Sequence, residues 1–465
     1  MSFEKRLAEV RGGFERSFWV ANISEIFERL AYYGSFASLA NYLRESLSFP
    51  TEQTGTLTGI FGGMVWFLAI FGGAVADRLG FRRALSLAYF VLTAAYFLLG
   101  SIAAPWLAPV RNLMPLGLFV GFILILPALG ISLVKPSVVG TTARASGENV
   151  RSLGYSIYYT MVNIGGASGP LAASFARRYL GAGKIFLVAA CAVFVMFFVV
   201  LIFFREPRKE AESRQPSVRE VARNFCTVLG NYKLVLPALG VAGALWIFQY
   251  ISHVPFPIWV WLVLLAIVLT GISRFMWFLV IFTGYWIVFW QQWILMPVYL
   301  HNYVNKELDV ELVLVTDGIV VITCTILVNY LTQKIPAFRA VILGTLITGL
   351  SWIVLALHPS MWGAVTAIFV LAIGEIVHQP RYYEYISRLA PKGQQGTYMG
   401  FAFLPLGIGS LIGGWFGGRV LHYFGEVQNK PQWAWYIISG VGVLTALLLW
   451  IYDRMVRPSD TSAGQ

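Results

Sequence analysis

Residues 55–100, GTLTGIFGGMVWFLAIFGGAVADRLGFRRALSLAYFVLTAAYFLLG, are two apolar runs joined by a short turn that carries Asp77, Arg78, Arg82 and Arg83. Each run approaches the ~20 residues that a helix needs to cross a bilayer, so the chain crosses, turns on a basic loop and crosses back. The same pattern extends outward in both directions. Further apolar runs begin near residues 18, 112, 152 and 184, and then near 233, 255, 275, 311, 337, 361, 396 and 433. Between them, REPRKEAESRQPSVREVAR (205–223) is too polar for hydrocarbon and reads as a linker. The reading is an all-α integral membrane protein of about 14 transmembrane helices. It divides into a six-helix bundle (1–204), a cytoplasmic linker (205–232), an additional hairpin (233–273), and a second six-helix bundle with a tail (274–465).

Composition agrees with this reading. The 465 residues are 58% hydrophobic and 12% charged, with a mean hydropathy of +0.70, whereas about one residue in four is charged in a soluble domain. The net charge of +12 sits in short loops, which argues for membrane topology and against nucleic-acid binding. Lys5, Arg6, Arg11, Arg16, the Arg78–Arg83 turn, Arg144, Arg151, the linker, Lys334, Arg339, Arg388, Lys392, Arg454 and Arg457 fall on one side if helices alternate. By the positive-inside rule that side is cytoplasmic, as are both termini, and Arg177, Arg178 and Lys184 are the exceptions. Residues 1–17 are charged and no small-residue cleavage site follows, which argues against a removable leader. Cys191, Cys226 and Cys324 lack disulfide or metal spacing. The five histidines form no HExxH and no G-x-S-x-G occurs, so no hydrolase motif supports an enzyme.

In the first apolar run, NISEIFERLAYYG (22–34) holds ionisable residues in mid-span. Glu25, Glu28, Arg29 and Tyr32 at i, i+3, i+4 and i+7 share one helical face. Intramembrane charges are costly and functional by default. One guanidinium neutralises one of the two carboxylates, and the other is free to carry a proton. Lys135 and Glu375, each alone in an apolar run and in opposite halves, suit a zwitterion held between two bundles. His378, one turn from Glu375, reads as a core histidine or a proton relay. Gly409, Gly413 and Gly417 read as a close-packing stripe.

Gly73, Asp77, Arg78, Gly80, Arg82 and Arg83 resemble the cytoplasmic loop signature of the major facilitator superfamily, with a degenerate echo at 328–341. The string E-x-x-E-R-x-x-Y-Y-G (25–34) resembles the proton-dependent oligopeptide transporter family. So do Lys135-Pro136, YYTMVNIG (158–165), GEIVHQP (374–380) and RLAPKGQQGTYMG (388–400). The resemblance implies two six-helix bundles with an extra hairpin and import of di- or tripeptides with protons. It further implies a monomer driven by the proton gradient, with no bound cofactor. It gives proton coupling to Glu25, Glu28, Arg29 and Glu375. The solute would be lined by Arg29, Tyr32, Tyr33, Lys135, Tyr159, Asn163, Trp286, Trp290, Gln291, Asp317 and Glu375. Of these, Lys135 with Arg29 would receive a carboxylate and Glu375 an amino group.

Some positions depart from the family. Phe36 and Trp290 stand where the family has a gate arginine and its acidic partner, a joint loss that avoids an unpaired buried charge. Asp317 replaces an asparagine, Trp66 a tyrosine and Ala402 a tryptophan. The alternative is therefore the same fold and coupling with a non-peptide solute: an amino-bearing metabolite, a cation, a drug or an anion.

Overall fold

The computed structural model describes residues 12–147, 150–181, 183–207, 223, 226, 228–252, 256–390 and 395–456. The Asp77 side chain and most of the 205–232 segment lie outside the described residues. The first bundle consists of α1 (Arg16–Glu45), α2 (Thr51–Leu79), α3 (Phe81–Gly100), α4 (Leu116–Arg144), α5 (Arg151–Leu180) and α6 (Lys184–Phe203). A hairpin follows, α7 (Tyr232–Ser252) and α8 (Ile258–Gly271). The second bundle comprises α9 (Arg274–Phe289, extended by short helical turns to Val304), α10 (Val310–Thr332), α11 (Ala337–Leu357), α12 (Met361–Leu389), α13 (Leu404–Leu421) and α14 (Trp433–Val456). Among the described residues, nine helices are long and apolar enough to cross a membrane. The long α1, α2 and α5 are not among them.

Each bundle is held by its own contacts, α1 on α5, α2 and α3 on α4 in the first, and α11 on α12 and α14 in the second. The bundles meet where α2 lies against α13 and α5 against α10. These are the second and fifth helices of one bundle against the fifth and second of the other, as a pseudo-two-fold axis requires. The hairpin leaves and rejoins at one point, since Asn231 N–H donates to Gly271 O (2.8 Å) and Ser273 N–H to Leu229 O (3.0 Å).

The α2–α13 contact relies on missing side chains. A Cβ on Gly59 would lie 2.6 Å from the Ser410 carbonyl oxygen and 2.9 Å from Gly414 Cα, while Ser410 Oγ donates to Gly59 O at 3.1 Å. Another face of α13 takes side chains from α9: Gly409 meets Trp286, and Gly413 and Gly417 meet Gln291. Small residues let backbones approach where lipid offers no hydrophobic drive for association. Elsewhere, Pro136 in α4 cannot donate to the Ser132 carbonyl one turn back, and that carbonyl faces Gly72 of α2. Lys135 is thus carried at a proline irregularity seated against a glycine of α2.

Gly59→Leu should lower the thermal unfolding temperature of the purified protein in detergent, by about 1–3 kcal/mol of overpacking. Gly440→Leu, with nothing within 4 Å of its would-be Cβ, should leave it nearly unchanged.

Candidate functional site

The polar face of α1 is buried at the centre of the first bundle. Glu25, Glu28 and Arg29 are at most 1% exposed. Arg29 Nε pairs with Glu28 and lies 3.5 Å from Glu25 Oε1. The guanidinium also lies over the Tyr32 ring at 5.4 Å. Gly165 of α5 packs against Arg29 Cβ and the Ile26 carbonyl, so α5 leaves Arg29 no outward route. Both Glu25 oxygens, Glu28 Oε1 and Arg29 Nη2 are buried without hydrogen-bond partners. A buried cluster with two acids and one base cannot be neutral by itself; it needs a proton or another cation.

Lys135 lies within electrostatic range of Glu25 and Glu28. No carboxylate is at ion-pair distance from it among the described residues. Its ammonium lies 4.1 Å from the Trp66 ring and 6.0 Å from that of Phe403, and those two rings stack at 5.6 Å. Trp66 belongs to the first bundle and Phe403 to the second, so the lysine sits at the seam. Across the seam, Asp317 (α10) and Glu375 (α12) lie within electrostatic range of one another and of Tyr33 (α1) and Tyr159 (α5). Tyr159 is 52% exposed. The Asn163 amide donates to the Tyr159 carbonyl at 2.8 Å, one turn away.

Other residues singled out in the sequence have packing environments. Phe36 is fully buried with its ring 5.6 Å from Trp290 and 5.4 Å from Trp293, and Trp290 Nε1 donates to Leu406 O at 3.0 Å. The two residues at the departed gate positions therefore meet through rings. Gln291, also fully buried, donates to Ile287 O and Gly413 O, which ties α9 to α13. Trp286 is 3% exposed beneath Gly409. Tyr32 is fully buried, stacked on Phe61. His378 is fully buried, Nδ1 3.3 Å from Gly374 O and ring 4.1 Å from that of Tyr285. At the 73–83 loop, Gly80 has φ 81°, and the N–H groups of Phe81 and Arg82 both donate to Glu206 at 2.8 Å. Arg82 itself donates to Leu201 O at 2.7 Å, and Arg78 and Arg83 are exposed.

A second polar cluster joins the bundles on the face where α1 ends, opposite the face where it begins. Glu311 of α10, fully buried, accepts from Ser38 of α1 at 2.8 Å and pairs with Arg177 of α5 at 3.3 Å. Arg177 also reaches Glu45 at 3.1 Å, and His301 Nε2 lies 3.3 Å from the same Glu45 oxygen. Asp309 accepts from Ser174 at 2.6 Å and lies 3.4 Å from Arg178. Glu426 takes the Thr51 hydroxyl and lies 3.6 Å from Arg44. These contacts join the two bundles on that face. They also account for two of the three basic residues on the wrong side of the charge pattern, since Arg177 and Arg178 answer carboxylates there. Sequence reading missed this latch because Glu45, Asp309, Glu311 and Glu426 stand at the ends of apolar runs and look like loop charges.

Two bundles closing on a polar centre define a membrane transporter, and the family model of the Major Facilitator Superfamily matches residues 22–283 and 281–465. The chain belongs to that superfamily. It is 20% identical over 441 residues to the multidrug resistance protein MdtH of Salmonella arizonae, covering 94% of each chain. It is 24% identical over 474 residues to a Na(+), Li(+), K(+)/H(+) antiporter of Planococcus maritimus, covering 95% of this chain and 97% of the relative. Among solved structures it is similar to the POT family transporter PepTSo, with a TM-score of 0.76 and 19% identity over 94% of this chain and 98% of that one. A POT family transporter in complex with a thioalcohol-conjugated peptide gives 0.72 at 17% identity, over 95% and 97%.

Removing one partner of a buried pair strands the other. Arg177→Met should destabilise the closed face by about 3 kcal/mol, the low end for a buried pair because Arg177 is partly exposed. Arg177→Met with Glu311→Leu should recover part of that loss. Thermal unfolding of the singles and the double checks this as a cycle; additive losses would mean that the pair contributes nothing.

Proposed function

We propose that the chain is a proton-coupled symporter of the cell inner membrane, with both termini cytoplasmic, importing a small amino-bearing solute by alternating access. Di- or tripeptides are the cargo that the family resemblance favours. The observation that carries the reading is the buried Glu25–Glu28–Arg29 cluster with Lys135 within its electrostatic reach. When a solute carboxylate engages Lys135, the lysine's charge is no longer available to the cluster, and a proton on Glu25 or Glu28 restores neutrality. Proton and solute are then required together, which is symport. Each proton moving inward through 100 mV supplies about 2.3 kcal/mol.

In this reading the latch of Arg177, Glu45, Glu311 and Asp309 is the extracytoplasmic gate, shut in the inward-facing form, and Phe36 and Trp290 close beneath it through rings. The Asp77–Arg83 loop and Glu206 tie helix ends on the cytoplasmic face. A second reading keeps fold and coupling but exchanges the peptide for another solute. It is favoured by Phe36, Trp66, Trp290, Asp317 and Ala402 at family contact positions, and by relatives named for drug resistance and for cation/proton antiport.

Glu25→Gln or Glu28→Gln, in purified protein reconstituted into vesicles, should abolish proton-driven accumulation and leave counterflow exchange measurable, because only the driven mode needs a titrating carboxylate. Loss of both modes in a folded protein would remove the specific coupling role. Lys135→Ala should weaken a dipeptide by about tenfold or more while sparing its carboxamide, the loss of a charge-assisted contact; an equal loss for both would make the lysine structural.

A further inference from the structure

Lys135 has carboxylates in electrostatic range and rests on none of them. Glu25 and Glu28 stand on α1, which packs against the lysine's own helix. Among the described residues, however, both pair with Arg29 and with no other cation. Glu25 has acceptor capacity to spare, since neither of its buried oxygens takes a hydrogen bond. The ammonium lies instead 4.1 Å from the centre of the Trp66 ring and 6.0 Å from that of Phe403. The two rings stack on one another at 5.6 Å with 22° between their planes. Both are held in place. Trp66 is only 9% exposed. Phe403 stands immediately before α13, where the Tyr382 hydroxyl donates to the neighbouring Ala402 carbonyl at 2.8 Å. One turn further on, a Cβ on Gly407 would lie 2.9 Å from the Phe67 ring of α2, so α13 is tight against α2 there. The lysine's seat is therefore built from both bundles, at the end of the glycine contact that joins them.

A carboxylate and a ring face hold an ammonium differently. The carboxylate cancels the charge, and a buried pair of that kind separates only at a large cost. The ring leaves the charge intact and holds it more weakly. An ammonium seated on rings therefore stays available to another anion. We propose that Trp66, backed by Phe403, is a positioning residue for the solute: its ring seats the Lys135 ammonium at the seam and keeps it off Glu25, ready for a solute carboxylate. The inference rests on Lys135 receiving that carboxylate, the reading proposed above, and adds the residue that keeps the lysine free to do so.

The test uses the full-length purified chain in detergent and reads thermal stabilisation by Ala-Ala and by Ala-Ala amide, each variant against the wild type. Trp66→Leu and Trp66→Met remove the ring at two sizes, so that one failing to fold leaves the other. Either should raise the Ala-Ala concentration for half-maximal stabilisation by about fivefold and leave the amide within about twofold. Trp66→Phe, which keeps a ring face, should stay within about twofold for both probes. In a Lys135→Ala background, Trp66→Leu should add nothing. Glu25→Gln added to Trp66→Leu should recover part of the Ala-Ala response, because the lysine then has no spare carboxylate to take. An equal loss for both probes in Trp66→Leu, a further loss of the same size in the Lys135→Ala background, or no recovery with Glu25→Gln would each overturn the inference. So would a Trp66→Phe no better than Trp66→Leu, which would give the role to the indole N–H, a group without a hydrogen-bond partner. Failure of the underlying reading is a separate result. An equal loss for both probes in Lys135→Ala, or a wild type that Ala-Ala does not stabilise, removes the carboxylate contact and this inference with it. A selective loss in Lys135→Ala without one in Trp66→Leu removes only the role of Trp66.

Discussion

A charge inside a bilayer must be paired, neutralised by a proton or reached by water, and this chain places many ionisable groups where water is scarce. Burial of Glu25, Glu28 and Arg29 at the centre of the first bundle commits α5 and α4 to close around them. Gly165 lets α5 approach at Arg29, and the Pro136 irregularity with Gly72 fixes the helix that presents Lys135. The second bundle then brings Asp317 and Glu375 to the opposite wall. Most of these groups are more expensive than apolar residues of the same volume, a cost that the proposed function explains by charges that change partners during the transport cycle.

The shut face and the centre use different chemistry for the same end. At the face, Arg177, Glu311, Glu45 and Asp309 bridge the bundles through ion pairs that run from the fully buried Glu311 out to the largely exposed Arg178. Deeper, Phe36, Trp290 and Trp293 close through ring contacts, which leave no charge stranded when they part. In the proposed transport cycle these form a gate in two layers, polar outside and aromatic inside, with the α2–α13 and α5–α10 contacts as the surfaces about which the bundles would rock.

Much of this was legible in the sequence, for physical reasons. Long apolar runs and basic loops give helix number and order because a bilayer accepts little else. Glu25, Glu28, Arg29, Lys135 and Glu375 stood out because an ionisable residue within an apolar run is rare. The latch did not, since Glu311 and Glu45 border loops and only the fold shows that Glu311 is fully buried against Arg177. Gln291 carries a packing duty that its motif did not announce: its amide N–H groups donate to Ile287 O and Gly413 O and tie α9 to α13. The glycines of α13 announced close packing, but not that one set meets α2 and another α9.

The central claim, that buried carboxylates make solute movement depend on proton movement in the same direction, is tested most directly by following both at once. The purified chain would be reconstituted into vesicles holding a trapped pH-sensitive dye, and an amine-bearing dipeptide series added outside with no imposed pH gradient. The account predicts acidification of the lumen that starts only with solute, scales with its uptake, and vanishes in Glu25→Gln. Solute uptake with an unchanged lumen, or alkalinisation that reports protons leaving as solute enters, would contradict it.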